Sequence, residues 1–298
     1  MKYWLLLLTL SIIWGSSFIL MKKAMYTPEG DVTFTSNQVA AMRILIASMT
    51  LLPFGVRALI KVDFRKDLLS FVIVAVCGNL LPAFLFTYAE TGISSGLTGM
   101  LNSTTPIFTI LIALAVFKDK MTLRQLIGAL IGSIGVGLLL YFGKKNSMHG
   151  EWSHIISVVF ATLCYAISLS VIRYKLSHYK SLDIASIAFL FLLGPSLYIF
   201  ISEGTIASFK NTTEIRNSIV ALSILSVVGT AFALFIFNTI IKNTSALFAS
   251  SVTYFIPIVA VLFGLLFGEQ ISLPQIGGMF IALLGVFVAN YSGNKKSL

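Results

Sequence analysis

Residues 99–136 read GMLNSTTPIFTILIALAVFKDKMTLRQLIGALIGSIGV, and residues 250–286 read SSVTYFIPIVAVLFGLLFGEQISLPQIGGMFIALLGV. The second stretch repeats the first. Pro106 matches Pro257, Phe117 matches Phe267 and Asp119 matches Glu269. Gln125, Gly128 and Gly135 match Gln275, Gly278 and Gly285. After one single-residue slip behind the prolines, every pair lies 150 positions apart. An internal copy inside long apolar runs is the sequence sign of a membrane protein made of two related halves, with a site where the halves meet.

Composition points the same way. Hydrophobic residues make up 57% of the 298 and charged residues 11%, with a mean hydropathy of +0.94. A soluble domain of this length could not cover its surface with so few charges. The net charge of +10 comes from Lys and Arg in short segments between apolar runs, with no continuous basic face, so nucleic acid is not an expected partner. Cys77 and Cys164 lie inside apolar runs and read as small hydrophobes. His149, His154 and His178 fall in or beside loops without metal-ligand spacing, and neither a metal nor a cofactor is expected.

A spanning helix needs about 20 mostly apolar residues. Ten runs approach that length, at 3–23, 36–56, 68–89, 96–116, 124–142, 153–172, 184–202, 217–239, 245–267 and 273–291. The expected fold is all-α and integral to the membrane, with ten transmembrane helices in two five-helix repeats, residues 1–143 and 152–292. With the N-terminus inside, fourteen Lys and Arg fall in cytoplasmic segments against six outside. By the positive-inside rule both termini are cytoplasmic. Five is odd, so the second copy enters from the opposite side and the repeats are inverted. Halves related in this way can exchange conformations, which is alternating access.

Polar and helix-breaking residues at membrane depth mark helices that face protein or water. In the first half they are Trp14, Ser16 and Ser17; Asn79, Pro82 and Tyr88; and Asn102 to Pro106. In the second they are Tyr165 and Ser168; Thr230 and Asn238; and Ser250, Ser251, Thr253, Tyr254 and Pro257. These pick out spans 1, 3 and 4 and their counterparts 6, 8 and 9. Trp14 and Tyr165 lie 151 apart, the offset of the proline pair. Pro106 and Pro257 are expected to kink their helices and free a carbonyl one turn earlier, unless neighbouring hydroxyls satisfy it. The small-xxx-small pairs Gly128/Gly132 and Gly278/Ala282 allow close helix approach, within the chain or in a homodimer.

The eleven acidic residues lie in loops or at helix ends, so no mid-membrane carboxylate offers a proton relay. Asp119 and Glu269 read as structural charges beside the starts of spans 5 and 10, where negative charge suits the helix dipole. Arg43 is inside span 2. It either holds an anionic substrate group or pairs with Glu90 and outer carbonyls as an anchor.

Trp14-Gly15-Ser16-Ser17-Phe18, Arg43, the proline helices followed by an acidic turn, and the Gln-x-x-Gly helix of both halves resemble the EamA-like branch of the drug/metabolite transporter superfamily. The resemblance covers nearly the whole chain. It implies a central cavity lined by helices 1, 3, 4, 6, 8 and 9, and export of amino acids or other small metabolites across the cytoplasmic membrane, without catalysis. The expected substrate-binding set is Trp14, Ser17, Asn79, Tyr88, Asn102, Ser103, Tyr165, Ser168, Thr253 and Tyr254. Its aromatic faces and uncharged donors and acceptors suit a small amphipathic molecule. A passive facilitator or channel for small neutral solutes is the alternative.

Overall fold

A computed structural model describes residues 2–118, 122–146, 152–209, 212–243 and 252–290. These are helical apart from turns and one isolated bridge between Tyr26 and Val32. The helices are α1 (Lys2–Met25), α2 (Ser36–Leu59), α3 (Phe64–Ala75), α4 (Leu81–Ala89), α5 (Ser95–Asn102), α6 (Thr105–Ala115), α7 (Leu123–Asn146) and α8 (Trp152–Lys175). They continue with α9 (Ser181–Ser202), α10 (Thr205–Ser208), α11 (Thr213–Ser223), α12 (Ala233–Asn243), α13 (Val252–Leu266) and α14 (Leu273–Asn290).

Local chemistry sets several starts. Thr35 and Gln38 form a reciprocal capping box on α2, and Asp63, Ser94 and Thr212 accept from first-turn amides of α3, α5 and α11. Hydroxyls within helices return to their own backbone: Ser11 donates to Leu7 O, Thr87 to Ala83 O and Ser170 to Ala166 O. Polar side chains are thereby satisfied without water.

Seven helical stretches among the described residues are long and apolar enough to cross a bilayer: Lys2–Met25, Ser36–Leu59, Phe64–Ala89, Ser95–Ala115, Trp152–Lys175, Ser181–Ser202 and Thr213–Phe232. Shorter apolar stretches cover Leu123–Leu139, Phe255–Leu266 and Leu273–Ala289. Large apolar side chains such as Leu5, Ile134, Leu273 and Phe280 point outward. Water would penalise that surface; lipid tails do not.

Two stretches carry a π-helical segment at matching places, Val76–Leu80 between α3 and α4 and Ile224–Phe232 between α11 and α12. Ser95–Ala115 is broken more sharply than a kink. A turn at Ser103–Thr104 separates α5 from α6, and Pro106 sits in the first turn of α6. The carbonyl that Pro106 cannot bond, that of Asn102, accepts from the Thr105 hydroxyl at 2.9 Å, so neighbouring chemistry has already used it. Pro257 lies inside α13 and is buried.

The helix pairs have a regular logic. α2 packs on α9, α7 on α14, α1 on α11 to α13, and α8 on α3 to α6. The α7–α14 seam is made of small residues. A Cβ on Gly128 would meet the Ala289 backbone, one on Gly135 the Ala282 backbone, and one on Gly285 the Gly132 backbone, each within 2.5 Å. The small-xxx-small residues therefore bring backbones together within one chain.

Candidate functional site

The π-segments organise the centre. A π turn widens the helix and shifts its hydrogen-bond register, which leaves backbone groups for side chains to meet. Asn79 sits in the first segment, and its Nδ2 donates to Val74 O at 3.2 Å. In the second, Gly229 O accepts from the Trp14 indole Nε1 at 3.1 Å. Each segment also presents a glycine to a serine of the opposite half. A Cβ on Gly78 would fall 2.4 Å from Ser168 Oγ, and one on Gly229 would fall 3.4 Å from Ser17 Oγ. Gly78 and Gly229 lie 151 positions apart, as do Ser17 and Ser168.

An aromatic row crosses this region. Trp14 packs on Phe237 with ring centres 5.5 Å apart. Phe18 packs on Phe86, and Phe86 on Tyr165, at 5.7 Å each. Tyr165 also lies near Arg43. Arg43 Nη1 reaches Met21 Sδ on α1 at 3.7 Å, a weak acceptor. Among the described residues no carboxylate lies within 4.0 Å of Arg43. The expected alternative pairing with Glu90 is not formed, because Glu90 is turned toward α1 and α5.

The sequence-derived set thus divides. Trp14, Ser17, Asn79, Tyr165 and Ser168 gather around the π-segments, with Arg43 at their edge. Asn102 ends α5 with its Oδ1 buried and without a hydrogen-bond partner, an acceptor held ready in the interior. Ser103 is buried but turned to its own backbone, donating to Met100 O at 2.6 Å. Tyr88 stands apart. It is 38% exposed, stacked on His154 at 4.6 Å and bonded to Ser153, near the C-terminal end of α4. Thr253 is half-buried on α13. Asp119, Ser250 and Ser251 lie outside the described residues, as do the side chains of Asn238 and Tyr254.

One constellation was not expected from the sequence. Glu269 does not serve the helix that follows it. Its Oε1 and Oε2 instead accept from the Ser95 and Gly96 amides at 2.9 and 3.1 Å, at the first turn of α5. Lys22 Nζ, at the end of α1, donates to Glu269 Oε1 at 2.9 Å and to Ile93 O at 3.2 Å. Burial opposes charge on Glu269, but Lys22 and the two amides outweigh it and hold the carboxyl below its ordinary range. The repeat contained a signal for this pair. Lys22 and Glu269 match Arg173 and Asp119 at offsets of 151 and 150, so opposite charges recur in both copies.

The model of the EamA-like transporter family matches residues 1–141 and 152–291. An uncharacterized transporter of Archaeoglobus fulgidus is 27% identical, over 97% of this chain and 98% of its own. The uncharacterized transporter YoaV of Bacillus subtilis is 22% identical over 100% and 99%. A probable amino-acid metabolite efflux pump of Salmonella typhimurium is 20% identical over 95% and 93%. A crystal structure 13% identical in sequence shares the fold, with a TM-score of 0.60 over 97% of this chain and 96% of its own.

Proposed function

The chain belongs to the EamA-like transporter family and is an integral membrane protein, and on that footing we propose that it exports small metabolites, amino acids among them, across the cytoplasmic membrane by alternating access. Its ten apolar runs are ten crossings, arranged as inverted repeats over 1–143 and 152–292 with both termini cytoplasmic. The observation that carries this reading is the exchange of partners at the centre. Ser17 faces Gly229 of the second half while Ser168 faces Gly78 of the first, at one offset and with equivalent residue types. Two halves seated on each other in this reciprocal way can swap arrangements about a fixed site.

The substrate site lies between the π-segments, lined by Trp14, Ser17, Asn79, Asn102, Tyr165 and Ser168, with Ser103, Thr253, Tyr254 and Tyr88 contributing along the route. Arg43 is the charge available to a substrate carboxylate, since its described neighbours offer sulfur and a phenol. Aromatic faces take the apolar part of the solute, and amide and hydroxyl groups fix its polar end.

Proteoliposomes loaded with unlabelled amino acids and assayed for entry of labelled ones test both site and mechanism. Exchange should be saturable, and Asn102→Leu should slow it about fivefold, the loss of one interior hydrogen bond. Undiminished exchange in Asn102→Leu removes that residue from the site. Non-saturable flux without counterflow replaces the carrier with a passive facilitator.

A further inference from the structure

We infer that Glu90 is a proton-binding site that governs closure of one end of the transport pathway, acting through Ser95 against the Lys22–Glu269 pair. The inference rests on the transporter reading, since closure has meaning only for a pathway between the halves.

The geometry is a junction of three chain segments. Lys22 comes from the end of α1, Glu90 and Ser95 from the link between α4 and α5, and Glu269 from the link between α13 and α14. The junction is tightly packed. A Cβ on Gly96 would fall 2.4 Å from Ile271 Cδ1, and one on Gly264 would fall 2.6 Å from Glu269 Oε2. Glu90 is only 1% exposed; its Oε2 accepts from Ser95 Oγ at 2.7 Å, and its Oε1 is buried with no hydrogen-bond partner, the nearby Thr98 hydroxyl donating to Ser94 O instead. An ionised carboxylate left with an empty oxygen in such a place is costly, whereas a protonated one is not.

The surrounding charges give the same sign. The groups facing the junction are Lys22 on α1, Tyr26 just after it, Glu269, Thr98 on α5 and His154 on α8, whose Nε2 is 3.2 Å from Thr91 Oγ1. Lys22 balances one carboxylate, and Glu269 holds it at 2.9 Å. A second carboxylate leaves the buried cluster with a net negative charge. A proton on Glu90 removes that charge and leaves Lys22 to Glu269.

Burial pushes the Glu90 carboxyl up to about 7, with Lys22 opposing and the charge of Glu269 adding to the rise. Opening this end would return Glu90 to water and to its ordinary value of 4.5. The closed form therefore binds the proton more tightly. Closure takes up one proton between those values, is favoured as pH falls below about 7, and loses that support as pH rises through it. Between pH 8 and pH 6 the ratio of closed to open should rise about tenfold. At the 151-residue offset that relates Gly78 to Gly229, the position matching Glu90 is Ile241, so the second copy has no carboxylate there.

Hydrogen exchange of the full-length protein in nanodiscs tests this without a substrate. After correction for intrinsic exchange, protection of peptides spanning 92–98, which include the amides bonded to Glu269, should fall about tenfold from pH 6 to pH 8. Peptides of α7 and α14 should not change. Glu90→Gln, uncharged at every pH, should stay protected throughout, while His154→Gln should retain the wild-type response. A flat wild-type profile overturns the proposal. So does a Glu90→Gln variant that responds like wild type, or a response lost in His154→Gln. Should Glu90→Gln fail to fold, the wild-type profile compared with Lys22→Gln still decides. Removal of the cation should move the midpoint to higher pH, and an unmoved midpoint also overturns the proposal. A protein with this response that carries no amino acid refutes the amino-acid reading alone, whereas active exchange with a flat profile refutes the proton site alone.

Discussion

Gly285→Ala is expected to lower the thermal midpoint of the purified protein steeply, while Gly277→Ala, eight residues earlier on α14, leaves it unchanged or raises it. The two differ only in what their new methyl meets. At Gly285 a Cβ would fall 2.2 Å from Gly132 N, 2.5 Å from Gly132 Cα and 2.6 Å from Gly128 O, all backbone atoms of α7. Side chains can rotate away from a clash, but a helix backbone moves only as a whole. Overpacking in cores costs about 1–3 kcal/mol where side chains can adjust. Prying two backbones apart should cost at least the upper end of that range. At Gly277 nothing lies within 4 Å, so alanine brings only its helix preference, about 1 kcal/mol in its favour. Equal behaviour of the two variants in a detergent melt would refute the α7–α14 packing described above.

Arg43→Gln is expected to abolish most transport of a carboxylate-bearing substrate while leaving the melting midpoint near that of the wild type. The guanidinium has a thioether and a phenol as neighbours and no carboxylate within 4.0 Å among the described residues, so little folded structure depends on its charge. A hydrogen bond from a charged donor contributes about 1.5–3 kcal/mol, which corresponds to roughly a ten- to hundredfold rise in KM. Arg43→Lys should recover part of the loss, because it keeps the charge and gives up the planar fork. An amino-acid amide, lacking the carboxylate, should compete weakly against wild type and no worse against Arg43→Gln. If Arg43→Gln instead melts early and transports normally once folded, Arg43 is an anchor.

Much of the helical architecture could be read in the sequence, because it depends on periodicity and length. Apolar runs near 20 residues and small residues at four-residue spacing are local signals, and α1, α2, α8, α9 and the α7–α14 seam follow from them. The features that escaped depend on distant partners. No local pattern marks a π-segment, so Val76–Leu80 and Ile224–Phe232 read as ordinary helix, although Asn79 and Thr230 inside them were singled out by their polarity. The break before Pro106 read as a kink, since the turn at Ser103–Thr104 is held by hydroxyl bonds to Met100 and Asn102 that sequence does not display. Glu269 was assigned to the nearest helix start, whereas its partners Ser95 and Gly96 are 174 and 173 residues away. Tyr88 shares the residue type of Tyr165 but stacks on His154 at the end of α4, and residue chemistry alone does not distinguish the two positions.

The glycine–serine contacts across the centre also bear on how the two copies can vary. Ser17 rests on Gly229 and Ser168 on Gly78, while Gly128 and Gly135 are filled by the backbone of α14. Neither half owns both sides of any of these contacts. A half produced alone would display open glycine grooves with nothing to occupy them. A larger residue at Gly78 would have to be answered at position 168, in the other copy. The two copies are alike in sequence, and this shared seam ties a change in one to a change in the other.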